Sequence, residues 1–155
     1  MPMTIRPLSI GELPLCLPYG QEFHDEMKLP GAFVDSTFMT TWMTFYTQCR
    51  ATVIGLWKDG QLVGGIGALL APDLNDGRLC GTEIFLFIGK EHRKSSGLLR
   101  LLRAYKQWVL DQGGVEARLT HFIGDPERDA HFDRLYRSLG YRPLERTYVI
   151  DLKEN

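Results

Sequence analysis

The stretch TEIFLFIGKEHRKSSGLLRLL, residues 82–102, decides the fold. Its first part is apolar at both parities from Ile84 to Ile88, the pattern of a strand covered on both faces and therefore central in its sheet. Its middle, Arg93-Lys94-Ser95-Ser96-Gly97, is a polar loop. Its last part opens a helix over about residues 96–112. There Leu98, Leu101, Leu102, Tyr105, Trp108 and Val109 share one face, and Arg100, Arg103, Gln107 and Asp111 the other, until Gly113-Gly114 stops it. A strand running through a short loop into a helix start places free backbone N–H groups and the positive end of the helix dipole at one point, a seat for phosphate or pyrophosphate. Lys90, Arg93, Lys94, Arg100, Arg103 and Lys106 stand here against Glu91 alone. On composition alone the same run reads as a solvated helix face.

Working outward, residues 4–8 form a short first strand, and Pro14 and Pro18 divide residues 9–29 into two short helical pieces with a bend. Asp35 or Ser36 caps a second helix whose Phe38, Trp42, Phe45 and Tyr46 fall on one stripe. Residues 51–58 and 61–71 are β-rich and joined by Asp59-Gly60, a two-residue hairpin signal. The central strand covers residues 79–89 and another strand residues 115–122. Asp125-Pro126-Glu127 then starts a helix that buries Phe132, Leu135, Tyr136 and Leu139 and ends at Gly140, and residues 145–152 make a final strand. The class is mixed α/β (α+β), a mixed sheet with helices packed on it.

Composition limits the function classes. At 155 residues the chain supports one core, read as a single domain over residues 1–155. Its 18 basic and 19 acidic side chains leave a net charge of −1, which removes any whole-protein argument for nucleic acid. Cys16, Cys49 and Cys80 contain no Cys-x-x-Cys pair and read as buried free thiols of a reducing compartment. His121 and His131 have no third ligand at metal spacing, so no metal site is expected. Gly64-Gly65-Ile66-Gly67 lies inside a β-rich run and reads as a bulge or close approach, not a dinucleotide fingerprint. Residues 1–8 lack the pattern of a signal peptide and no run reaches about 18 apolar residues, so the expectation is a cytoplasmic protein with no membrane association.

The strand, the Arg93-to-Gly97 loop and the helix resemble the acetyl-CoA-binding motif of the GNAT superfamily of N-acetyltransferases. Leu135-Tyr136-Arg137-Ser138-Leu139-Gly140-Tyr141 resembles that family's second signature, a helix closing on a tyrosine before Gly-aromatic. The resemblance covers nearly the whole chain and is nearest to small phage-encoded members, which share the strand acid and the His-Arg pair; the host cytoplasm is then the expected compartment. It implies the GNAT-like acyl-CoA N-acyltransferase fold: a strand, two helices, three strands, a helix, a strand, a helix and two closing strands. One departure stands out. The family's pattern has small residues where Ser96 and Leu98 stand, and Gly97 is displaced between them.

The resemblance implies acetyl-CoA as cosubstrate and roles for named residues. Phe87 and Ile88 would pair through backbone with the pantetheine arm, with the Ile88 N–H stabilising the oxyanion. Arg93 and Ser96 side chains, with N–H groups of Lys94, Ser95, Ser96, Gly97, Leu98 and Leu99, would hold the phosphates. Glu83 would be the general base and Tyr136 the acid that protonates the departing thiolate. On the residues alone, Tyr136 also reads as a core tyrosine. Glu83, placed on the face of Phe85 and Phe87, also reads as a structural acid held by Arg118 or His121. The first two helices would roof the acceptor site, where His24, Asp25, Glu26 and Asp35 would meet a cationic amine. The function expected is direct acetyl transfer to a small-molecule or peptide primary amine, since no cysteine occupies a matched catalytic position. Two alternatives are a degenerate acyl-CoA-binding or host-interaction module and a relative that modifies a nucleic-acid base; nucleic acid as a partner ranks last. Exposed strands and aromatic first helices make a homodimer plausible.

Overall fold

Asp59 and Gly60 both have positive φ, 52° and 76°, the backbone that a two-residue hairpin turn demands. This turn pairs β2 (Arg50–Lys58) with β3 (Gln61–Pro72) in antiparallel register. The computed structural model describes residues 2–152. β1 (Thr4–Pro7) adds to the outer side of β2, β4 (Leu79–Ile88) pairs antiparallel with β3, and β5 (Glu116–Arg118) runs parallel to β4. The sheet order is β1-β2-β3-β4-β5. A 3-10 helix (Ile10–Cys16), α1 (Leu17–Met27) and α2 (Asp35–Gln48) precede the hairpin, α3 (Gly97–Asp111) links β4 to β5, and α4 (Pro126–Ser138) follows.

The described chain separates into two compact units, one through Thr120 and one from His121. In the first, the sheet is covered on both faces. A Cβ added at Gly67 would come within 2.5 Å of Phe85 and 2.7 Å of Trp42, so this face of β3 is closed by α2. A Cβ at Gly97 would meet Leu56 at 2.5 Å, and Leu56 pairs with Gly64, an odd number of positions from Gly67, so α3 closes the opposite face. The α2 side holds Leu8, Leu13, Cys16, Trp42, Val53, Trp57 and Leu62, with Phe38, Phe45 and Tyr46 of the expected stripe packed against them. The α3 side buries Leu101, Leu102, Tyr105 and Val109, the face read from the periodicity.

The two short helical pieces expected over residues 9–29 are present as the 3-10 helix and α1, and Pro18 starts the second of them, where its missing N–H costs nothing. Other expectations are corrected. Neither Asp35 nor Ser36 caps α2; Val34 takes the N-cap position and Asp35 is already helical. Cys49 is exposed, unlike Cys16 and Cys80. The strand expected over 115–122 is ordered as β only at Glu116–Arg118 because side chains take its backbone groups. The Tyr105 hydroxyl donates to the Arg118 carbonyl at 2.7 Å and accepts from the Arg118 N–H at 3.1 Å, and the Thr120 N–H goes to the Glu83 carboxylate at 3.3 Å. Residues 145–152 form no strand among the described residues. Apolar composition makes a strand only where a ladder partner receives its N–H and C=O groups, and none is formed there.

In the second unit α4 has the expected cap, Asp125 accepting from Glu127 N–H at 3.0 Å and Arg128 N–H at 3.3 Å, and Gly140 follows its end with φ 92°. Phe132, Leu135, Tyr136 and Leu139 are half-buried, not fully buried.

Gly67 tests the α2 face. Gly67→Ala forces the Phe85 and Trp42 rings to move and is expected to lower unfolding free energy by about 1–3 kcal/mol in urea titration. Gly11→Ala, where nothing lies within 4 Å, is the control. Equal midpoints for the two variants would contradict this packing.

Candidate functional site

The site begins where β4 loses its outer neighbour. β5 pairs only with Cys80, Gly81 and Thr82, so from Glu83 to Ile88 the outer edge of β4 carries no strand among the described residues. The register decides which backbone groups face that edge. Gly89 N–H donates to Val63 O at 2.8 Å, which makes Gly64↔Ile88 a non-hydrogen-bonded pair and Gly65↔Phe87 the bonded one. The N–H and C=O groups of Leu86 and Ile88 therefore project to the open edge, while those of Phe87 face β3. Of the two residues expected to pair with a pantetheine arm, Ile88 turns its backbone groups to the edge and Phe87 does not; Leu86 is the other residue whose groups face that edge. The period of two along a strand contains this information, because polar groups facing one edge alternate.

A bulge sets Glu83. Gly67 pairs with Phe85 but Ala68 pairs with Glu83, so Ile84 is an extra residue in β4. Gly67 and Ala68 present opposite faces, so Glu83 lies on the face opposite Phe85, correcting the expectation that they share one. Two residues before, a Cβ at Gly81 would meet Val109 and Tyr105 of α3, which identifies the face. Glu83 is only 5% exposed. Its Oε1 accepts from the N–H and hydroxyl of Thr120, each at 3.3 Å. Of the expected structural partners, Arg118 pairs with Glu116 and Asp73 instead. Burial pushes the Glu83 carboxyl up from 4.5 to about 7, and the two Thr120 donations offset this in part.

The loop after β4 is organised by its own side chains. The Ser95 hydroxyl donates to His92 O at 2.6 Å and accepts from Gly97 N–H at 3.1 Å, so Ser95 serves the helix start and Ser96, the N-cap, makes no side-chain cap bond. Arg100 N–H already bonds Ser96 O at 3.1 Å, leaving Leu98 and Leu99 as first-turn N–H groups with no carbonyl inside the helix to receive them. Gly97 lets α3 start close against β2: a Cβ there would come within 2.5 Å of the Leu56 side chain, which would have to shift. Lys94 is exposed, and the Arg100 guanidinium is tied to the Met3 carbonyl at 2.7 Å.

Arg93 is not a free cation. Its Nε donates to Ile88 O at 2.9 Å, and its terminal nitrogens donate to the two carboxylate oxygens of Glu26 at 2.6 and 2.7 Å. The acidic residues of α1 are thus divided. Glu26 faces the loop, Asp25 accepts from Gln21 at 2.9 Å, and Pro18, Gln21, Glu22, Asp25, Glu26 and Lys90 line an open groove of about 510 Å³.

Tyr136 belongs to the second unit. There it stands in an aromatic group with Phe132 (ring centroids 5.6 Å apart), Tyr141 (6.2 Å) and His121 (6.4 Å). Among the described residues no group of His, Cys, Asp and Glu can hold a metal ion, and no helix is long and apolar enough to cross a membrane.

The sequence matches no protein-family model and no curated protein. The structure does match solved proteins. An acetyltransferase of Trypanosoma brucei superposes with TM-score 0.75 at 16% identity, covering 97% of this chain and 100% of that one. A ribosomal-protein-alanine N-acetyltransferase from Brucella melitensis biovar Abortus 2308 gives 0.72 at 16% identity over 98% and 100% of the two chains. AAC(6')-Iy, solved with the bisubstrate analog CoA-S-monomethyl-acetylneamine, gives 0.72 at 17% identity over 99% of each. The chain has the fold of GNAT acetyltransferases, as its motifs lead one to expect.

The buried carboxyl leaves a signature in stability. Folding raises the Glu83 pKa from 4.5 to about 7, so the folded state holds this proton more tightly than the unfolded chain. The resulting stabilisation is complete below 4.5 and is lost as pH rises through about 7. Relative to Glu83→Gln, the wild type is expected to lose about 3 kcal/mol of unfolding free energy across that window. Urea unfolding of both proteins at a series of pH values measures it, and parallel profiles would refute the assignment.

Proposed function

We propose that the protein is an acetyl-CoA-dependent N-acetyltransferase that passes the acetyl group directly to a primary amine. The observation that carries this reading is the released edge of β4, with Leu86 and Ile88 turned outward, running into a loop and the N-terminus of α3 within an acetyltransferase fold. The residues fit the coenzyme. The Leu86 backbone and the Ile88 N–H offer hydrogen-bonding groups to an amide-bearing arm, and the Leu98 and Leu99 N–H groups with Lys94 in the loop before them offer a seat for phosphates. The Arg93 side chain, committed to Glu26 and Ile88, is not needed for that seat.

Bound acetyl-CoA supplies the activated thioester. The chain's residues do the rest. The Ile88 N–H, turned to the open edge, would hold the negative charge that develops on the acetyl oxygen as the amine nitrogen bonds to the carbonyl carbon. The amine first gives up a proton, with an ordinary pKa near about 10.4. Glu83, directly or through a water, takes it, and its own raised pKa suits it to do so near neutrality. The thiolate released as the carbon–sulfur bond gives way to the new carbon–nitrogen bond needs a proton, and the resemblance of its helix implies that Tyr136 would supply it. The acidic groove wall at Glu22 and Asp25 favours a cationic acceptor.

Isothermal titration with acetyl-CoA is expected to show saturable binding, and its absence at millimolar cofactor would sink the proposal. With an amine panel scored by thiol release, activity should rise with pH through about 7, and Glu83→Gln should remove that limb and lower kcat/KM by about 10²-fold or more. Tyr136→Phe should lower turnover while sparing coenzyme affinity. Binding without thiol release from any amine would favour the non-catalytic module.

A further inference from the structure

Glu26 has no part in the transfer described above, yet it grips the side chain that reaches the end of β4. A guanidinium has five N–H donors in a rigid plane. In Arg93 three of them are committed, one at 2.9 Å to the Ile88 carbonyl and two at 2.6 and 2.7 Å to Glu26. Paired side-on with a carboxylate, the plane has a fixed direction, and that direction aims Nε at Ile88. The helix bearing Glu26 is itself seated on the same strand end. The Tyr19 ring of α1 stacks on Phe87 with centroids 4.7 Å apart, and its hydroxyl donates to Leu62 O at 2.7 Å. On the other side of the strand, Gly89 N–H holds Val63 O at 2.8 Å. Ile88 is therefore clamped from both edges. The Arg93 and Glu26 side chains are 43% and 27% exposed, so the pair contributes little stability; what it supplies is direction.

We infer that Glu26 is a positioning residue: through Arg93 it fixes the Ile88 backbone, and with it the N–H that faces the reacting carbonyl. This rests on the acetyl-transfer reading. It links the helix beside the acidic groove to the oxyanion donor, so that an acceptor held by α1 and the acetyl group on β4 keep one geometry.

The test is a double-mutant cycle of Glu26→Ala, Arg93→Ala and the pair, read by kcat, by KM for acetyl-CoA and by amide hydrogen exchange at Gly89 in the coenzyme-free protein. Each single variant is expected to lower kcat about tenfold, less than outright loss of an oxyanion donor, which costs about 10²–10³. KM for acetyl-CoA should stay within about twofold, the double variant should be no worse than either single one, and Gly89 exchange should quicken in all three. A Glu26→Ala protein with wild-type kcat and wild-type exchange, or losses that multiply in the double variant, would overturn the inference. If the wild type transfers acetyl to no amine, the transfer reading fails by itself, and the Gly89 exchange cycle alone decides whether Glu26 directs Arg93.

Discussion

The structure depends on β5 leaving β4 after Thr82. A parallel strand continues only while its backbone groups find the neighbouring backbone, and here two side chains intercept them. Tyr105 of α3 takes both groups of Arg118, and Glu83 of β4 takes the Thr120 N–H. The two strands therefore part, and the edge of β4 that follows keeps outward N–H and C=O groups with no neighbouring strand among the described residues, the Ile88 carbonyl being met by Arg93. Such groups are costly unless a ligand or solvent satisfies them. The same departure keeps Glu83 buried beside the gap, which makes its carboxyl hard to ionise. Fold, open edge and perturbed acid thus have one cause.

The elements that positioned the site were legible because their signals are local. The two-sided apolar run of residues 84–88, the leucine face of α3, the Asp59-Gly60 turn and the Asp125-Pro126 cap each declare themselves within a few residues. What was not legible joins distant positions or depends on register. The bulge at Ile84 reverses the face of Glu83, and no periodicity count shows an inserted residue. Glu26 and Arg93 are separated by 67 positions. Thr120 and Tyr105 give no sign in the sequence of capturing a carboxylate and a strand end, because both look like ordinary β and core residues. The strand read at residues 145–152 shows the opposite error, since apolar composition carried the reading and no partner strand was specified.

The displaced glycine of the loop between β4 and α3 has a packing explanation. Gly97 brings the first turn of α3 onto Leu56, and Ser95 closes the turn beneath it, so the loop is shaped without glycine at positions 96 and 98. The basic run from Lys90 to Lys106 is likewise less uniform than its composition. Arg93 and Arg100 are structural ties to Glu26, Ile88 and Met3, Lys90 lines the groove of α1, and Lys94 is exposed in the loop before α3. A net charge of −1 therefore conceals a small, specific cationic seat rather than a broad positive surface.

The account's central claim is that the outer edge of β4 receives the coenzyme. Residue-resolved amide hydrogen exchange with and without coenzyme A addresses it most directly. Exchange should slow on binding at Leu86 and Ile88, whose N–H groups face the edge, and change little at Phe87, which is already bonded to β3. Binding that leaves Leu86 and Ile88 unprotected would contradict the claim.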